Sequence, residues 1–128
     1  MFKLAFQRPI VARSAALRAI RFQSNVAPLN SLQDFQKAVS NKSLSVIDFY
    51  ATWCGPCKAM APHFEKLSDK YPDVDFYRVD VDGAPDVAGY CGVSAMPTFL
   101  LAKESQTVGK IVGADVRGLT QAIEDLKN

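Results

Sequence analysis

Aspartate and glutamate are missing from the first 33 residues of this 128-residue chain, although thirteen follow. Five basic side chains, Lys3, Arg8, Arg13, Arg18 and Arg21, occupy that stretch, so the overall net charge of +2 hides two segments of opposite sign. Beyond residue 24, ten basic and thirteen acidic side chains give a net of −3, a poor surface for nucleic acid. Long apolar runs are missing as well. The longest uncharged stretch, Val87–Ala102, is interrupted by Gly89, Gly92 and Pro97. It falls short of the roughly 18 to 20 apolar residues of a membrane span, which argues against membrane insertion. Cysteine is scarce: three residues, two of them three positions apart, do not make a disulfide scaffold. There is no Gly-rich dinucleotide or phosphate loop, so no bound cofactor is expected. With 48% hydrophobic and 22% charged residues, what is present is material for one globular domain.

An Arg-rich, acid-free start with serine and apolar residues has the composition of a mitochondrial or plastid transit peptide. On a helical wheel Ser14, Arg18 and Arg21 gather against Ala12, Ala16, Ala19 and Ile20, with Arg13 breaking the pattern. A disordered basic arm is the alternative. A secretory signal fits less well, because arginines interrupt every candidate apolar core. Arg21-Phe22-Gln23-Ser24 resembles mitochondrial processing sites that carry arginine two residues before the cut. Residues 1–24 are therefore expected to be a cleaved mitochondrial presequence, and residues 25–128 the folded domain.

In the body, Ser31 followed by Asp34, with Leu32, Phe35 and Val39 at helical spacing, predicts a capped helix. Leu44–Ala51 reads as a strand, apolar on both faces apart from Asp48, as a central strand covered by helices on each side requires. Met60, Phe64, Leu67 and Tyr71 predict a helix over Pro56–Lys70, kinked by Pro62. Strand Val74–Val81, a short helix Pro85–Tyr90, strands Thr98–Ala102 and Thr107–Val112, and a final helix through Val116, Leu119, Ile123 and Leu126 capped by Asp115 complete the pattern. A short first strand near Val26–Leu29 fits in front. The order is that of one α/β domain.

Trp53-Cys54-Gly55-Pro56-Cys57 falls where the first long strand passes into its helix. Free amides and the positive end of the macrodipole stabilise an anion there, so the first thiol becomes a thiolate near neutral pH. Three-residue spacing brings the second sulfur within disulfide reach, and Pro56, with no N–H to lose, preorganises the first turn. Cys54 is expected to be the exposed nucleophile and Cys57 the shielded resolving thiol. Half of a zinc site is the competing reading, but only Cys91 and His63 remain as further ligands and neither forms a second paired motif. No metal is expected.

Phe49-Tyr50-Ala51-Thr52-Trp53-Cys54-Gly55-Pro56-Cys57-Lys58, with Asp48 before it and Pro62 after it, resembles the thioredoxins. The likeness continues through Asp80-Val81-Asp82, Met96-Pro97-Thr98 and Val112-Gly113-Ala114, covering about residues 29–127. It implies the thioredoxin fold, a central mixed β-sheet flanked by helices on both faces. It also implies a redox-active Cys54–Cys57 disulfide whose reactivity Gly55 and Pro56 tune. Apolar neighbours around Asp48 raise its pKa, which suits a proton acceptor; the resemblance assigns it the deprotonation of Cys57. Thioredoxins usually pair that aspartate with a lysine, and Arg78 stands at the matching position. Pro97 corresponds to a cis proline, and Trp53, Gly55, Pro56, Met96, Val112, Gly113 and Ala114 to a flat apolar surface that binds substrate. With the basic leader, the resemblance is to mitochondrial members of the family. It implies a monomeric protein-disulfide reductase of the matrix, re-reduced from NADPH by thioredoxin reductase and serving peroxiredoxins among its clients.

Cys91 reads as a small, partly buried side chain, with an oxidation or glutathionylation site as the alternative. His63 is expected at the surface, and Ser105 stands in a hairpin turn where the family usually has glycine. Two rival functions share the fold. One is a disulfide isomerase or oxidase, against which Gly55-Pro56 argues; the other is a non-catalytic docking subunit, which intact cysteines do not exclude.

Overall fold

The computed structural model describes residues 25–128; the expected presequence lies outside them. In chain order the elements are β1 (Val26–Pro28), α1 (Leu32–Val39), β2 (Ser45–Tyr50), α2 (Gly55–Lys70), β3 (Asp75–Asp80), α3 (Pro85–Tyr90), β4 (Thr98–Lys103), β5 (Gln106–Val112) and α4 (Val116–Leu126). This is the order the periodicity predicts, with boundaries moved by a residue or so. Pro62 lies inside α2 without ending it. Its missing N–H deprives only the carbonyl of Lys58, an exposed residue where solvent serves instead.

The five strands form one sheet in the order β1-β3-β2-β4-β5. β1 and β2 run parallel to β3, while β4 is antiparallel to β2 and to β5, so the sheet is mixed. β2 lies at its centre, and five of its six residues are buried. Alternation along β2 divides the core. Val46 joins Met60 and Phe64 of α2, Leu119 and Ile123 of α4, Phe76 and Phe99 on one face. Ile47 and Phe49 join Phe35 and Val39 of α1, Val87 of α3, Val79 and Leu100 on the other. Phe64 sits 5.3 Å from the Phe76 ring and 5.5 Å from that of Phe99, so it fastens α2 to two strands at once. Truncating it to alanine would cost about 3–5 kcal/mol.

The helix ends are satisfied largely as their sequences predict. Ser31 Oγ accepts from Asp34 N at 3.1 Å, and Asp115 Oδ1 from Gly118 N at 2.9 Å. A third cap is long-range: Asp86 of α3 accepts from Leu32 N at 3.1 Å, joining two helices on the same face of the sheet. At the opposite end of the molecule Lys103 pairs with Gln106 across a two-residue turn. Glu104 and Ser105 there have φ of 49° and 66°, both in the left-handed region that glycine fills most easily. Their amides donate to Asn41 O and Val39 O, each at 2.8 Å, which holds the turn against the end of α1.

Candidate active site

β2 ends beneath the N-terminus of α2, and Cys54 is the residue at the junction. It is the N-cap, with extended backbone, Gly55 and Pro56 begin the helix, and Cys57 completes the first turn. Cys54 and Cys57 are joined as a disulfide with Cα atoms 5.3 Å apart. Cys57 N–H donates to Cys54 Sγ at 3.2 Å, as an N-cap geometry requires. A charge on that sulfur would therefore meet an amide proton directly, and the sixteen-residue helix has no acidic side chain in its first turn to weaken the effect. Cys54 Sγ also lies 3.8 Å from the Met96 carbonyl oxygen, a contact that becomes a donation only when the sulfur carries a proton.

The sequence reading places Cys54 in the open, and here the structure differs. In the disulfide both cysteines are 6% exposed, packed with Ala51 and against Tyr50, Val81 and Met96. What separates the two sulfurs is position rather than exposure. Cys54 precedes the helix, whereas Cys57 is on its buried side with Met60 and Phe64.

The surface around the disulfide gathers residues from four parts of the chain. Trp53 is 67% exposed and its indole Nε1–H donates to Asp82 Oδ2 at 2.9 Å. The Met96–Pro97 bond is cis; Met96 is half-buried and Pro97 buried. Gly113, at φ +98°, donates from its amide to Pro97 O at 2.8 Å, so the segment after β5 lies against the cis turn. Val112 is 58% exposed, and Ala114, Gly55 and Pro56 are exposed as well. Asp82, the partner of Trp53, is the one contributor whose contact the sequence does not reveal. It stands 29 residues away, and an indole N–H can pair with any nearby acceptor.

Asp48 shares the α2-covered face of β2 with Val46 and is 7% exposed. Its Oδ1 is buried without a hydrogen-bond partner. Burial pushes its carboxyl up to about 7, with the positive charge of Arg78, its register neighbour on β3, pulling the other way. Cys91 is a free, half-buried cysteine at the C-cap of α3, remote in sequence from the disulfide. His63 is exposed on α2. Among the described residues no group of three or more His, Cys, Asp or Glu side chains is placed to hold a metal ion. No helix among them is long and apolar enough to cross a membrane.

The Thioredoxin family model matches residues 26–125. Mitochondrial thioredoxin-3 of Saccharomyces cerevisiae is 46% identical over 127 residues, spanning 96% of this chain and 100% of the yeast protein. The crystal structure of oxidised mitochondrial thioredoxin 3 from the same yeast matches with a TM-score of 0.76 and 50% identity, over 79% of this chain and 95% of that one. A chain from a structure of the thiol-resolving mechanism of yeast mitochondrial 1-Cys peroxiredoxin via glutathione/thioredoxin systems matches at a TM-score of 0.78. It is 48% identical over 81% of this chain and 100% of its own length. Likeness to mitochondrial members supports a mitochondrial location. With a disulfide-forming Cys54–Cys57 pair at the head of α2 in a central mixed sheet, the chain belongs to the thioredoxin family and is a dithiol electron carrier, a thiol–disulfide oxidoreductase.

Proposed function

We propose that the chain is a monomeric protein-disulfide reductase of the mitochondrial matrix, with Cys54 as nucleophile and Cys57 as resolving thiol. In the reduced protein the Cys54 thiolate attacks a client disulfide; one client sulfur leaves as a thiolate and a mixed disulfide forms. Asp48 accepts the Cys57 proton. The Cys57 thiolate then attacks Cys54 Sγ, the second client sulfur leaves and takes up a proton, and the protein departs as the Cys54–Cys57 disulfide. Two electrons and one proton have passed to the client, whose first sulfur stays a thiolate until solvent protonates it. The client lies along the apolar surface of Trp53, Gly55, Pro56, Met96, Pro97, Val112, Gly113 and Ala114, and backbone groups at Met96 pair with it. Trp53 is held for this contact by Asp82.

The observation that carries the assignment is the amide of Cys57 directed at Cys54 Sγ at a helix N-terminus. The thiolate that such a site favours is the attacking species. Electrons would come from NADPH through thioredoxin reductase, and peroxiredoxins are clients that fit the resemblance. That the yeast thioredoxin-3 likeness spans 96% of this chain means that it extends into the acid-free first 24 residues. This supports reading them as a presequence, with residues 25–128 as the working domain.

Reduction of insulin disulfides by the wild type and by Cys54→Ser tests the function. The wild type is expected to turn over with a chemical or enzymatic reductant, and the variant to fall to background. A wild type that does not turn over would leave the docking-subunit reading, and one that oxidises or shuffles thiols faster than it reduces disulfides would point to an oxidase or isomerase.

A further inference from the structure

The described residues carry five sulfur atoms, in Cys54, Cys57, Met60, Cys91 and Met96. Their surroundings decide which of them a peroxide can oxidise in the disulfide form. Cys54 and Cys57 are joined to each other, so neither offers a thiolate. Cys91 is a half-buried thiol that burial pushes up to about 11, and a protonated thiol is a poor nucleophile. Met60 is 1% exposed, closed into the core on the α2 face. Met96 is half-buried, with exposed Ser94 and Ala95 before it, and packs against the cluster of Ala51, Cys54 and Cys57. A thioether has no proton to lose, so its lone pair is available at any working pH. Met96 therefore combines access with reactivity.

Its place in the fold gives that reactivity a consequence. The Met96 carbonyl oxygen is 3.8 Å from Cys54 Sγ, and exposed Trp53 and Val112 belong to the same apolar surface around the disulfide. Oxidation turns a flexible apolar thioether into a polar sulfoxide. A client covering that surface would have to strip water from the added oxygen, and burying a polar group without a partner is costly. Cys54 and Cys57 keep their places on α2, so sulfur exchange itself is not altered.

We propose that Met96 is a modification site, at which a hydroperoxide converts the thioether to the sulfoxide and thereby weakens client binding. The Met96 sulfur donates an electron pair to one peroxide oxygen, and the O–O bond breaks. That oxygen stays on sulfur, while the other leaves with the peroxide hydrogen as water or an alcohol. The thioether is oxidised by two electrons and the peroxide reduced by two. The consequence for clients rests on the reading of Met96 as part of the docking surface given above.

The test exposes the full chain in its disulfide form to hydrogen peroxide, removes the peroxide and maps added oxygen by peptide mass spectrometry. Insulin reduction is then followed against insulin concentration for wild type, Met96→Leu and Cys91→Ser, each compared with its own untreated sample. Met96 should gain one oxygen before Met60 or Cys91 does. The wild-type KM should then rise by about fivefold or more, with kcat nearly unchanged. Cys91→Ser should show the same rise and Met96→Leu none. Methionine sulfoxide reductases of both epimer specificities, with dithiothreitol as reductant, should bring the wild-type KM back. Oxygen on Met60 or Cys91 ahead of Met96, an oxidised Met96 with unchanged KM, or a rise that survives in Met96→Leu overturns the proposal. Untreated Val112→Asp puts a charge on the same surface without touching Met96. If it raises KM while the sulfoxide does not, the modification role alone fails. If neither raises KM, the docking-surface reading fails and takes the proposal with it.

Discussion

Cys54 and Cys91 stand at opposite kinds of helix end. The first is the N-cap of sixteen-residue α2, where an amide donates to its sulfur; the second is the C-cap of six-residue α3, where its own N–H serves the carbonyl of Val87. Helix N-termini favour an anion and C-termini disfavour one. Burial adds to the contrast, pushing the Cys91 thiol up to about 11 despite the nearby Lys110. Cys91 lines a cavity of about 430 Å³ with Tyr90, Leu100 and Thr107, and none of the residues lining it is acidic or basic. The same side chain thus forms the disulfide at one end of the domain and stays a free, half-buried thiol at the other. Placement on the fold, rather than residue type, makes the difference.

The comparison breaks first if the two thiols react alike. In the reduced protein at pH 7.5, iodoacetamide should label Cys54 faster than Cys91 by at least about a hundredfold, because the thiolate is the reactive form. Peptide mass spectrometry over a time course measures both rates in one sample. Similar rates would mean that the helix ends do not control thiol reactivity here.

Asp48→Asn sharpens the active-site half of the contrast. The folded carboxyl is raised from 3.8 to about 7, so the fold favours its protonated form. Asp48 therefore costs no stability below pH 3.8; the cost grows as pH rises towards about 7 and is complete above it. The asparagine variant should accordingly be more stable than wild type by on the order of 2–4 kcal/mol at pH 8, and by nothing at pH 3. It should also reduce insulin more slowly. Denaturant unfolding at several pH values checks the sign, and a variant less stable than wild type at pH 8 would contradict a buried carboxyl.

The smallest effect concerns the other end. Ser105 holds φ of 66° in the turn that lines the Cys91 cavity. Ser105→Gly should remove left-handed strain and stabilise the protein by about 0.5–1 kcal/mol, with no change in reduction rate. A change in rate would show that the two ends are coupled.

Much of this architecture is legible in the chain because its signals are local. Alternation and helical spacing mark β2, α2 and α4, and the Ser31 and Asp115 caps lie three residues from their amides. The Cys-x-x-Cys pair is likewise local, its two members sharing one helix turn. β1 is harder: three residues with only Val26 buried carry no usable period, and it is pairing with β3 that makes a strand of them. Contacts between distant segments leave no pattern at all. Asp86 caps α1 from 54 residues away and Asp82 holds Trp53 from 29, and both require the fold before they can be seen. The exposure expected of Cys54 fails for a related reason. Sequence places it ahead of a helix, but Met96, brought in by the cis turn 42 residues later, packs against the disulfide.

The central claim is that the two sulfurs of one disulfide have different tasks set by their place on α2. Cys57→Ser leaves Cys54 at the helix N-terminus and removes the resolving thiolate, since a serine hydroxyl is not ionised at neutral pH. Cys54→Ser leaves only the sulfur on the buried side. Each variant is reduced, exposed to a protein disulfide substrate, quenched with acid and mapped by mass spectrometry without reductant. The account predicts a stable mixed disulfide on Cys54 in Cys57→Ser and little adduct in Cys54→Ser; equal trapping by both variants, or adducts on Cys91, would contradict it.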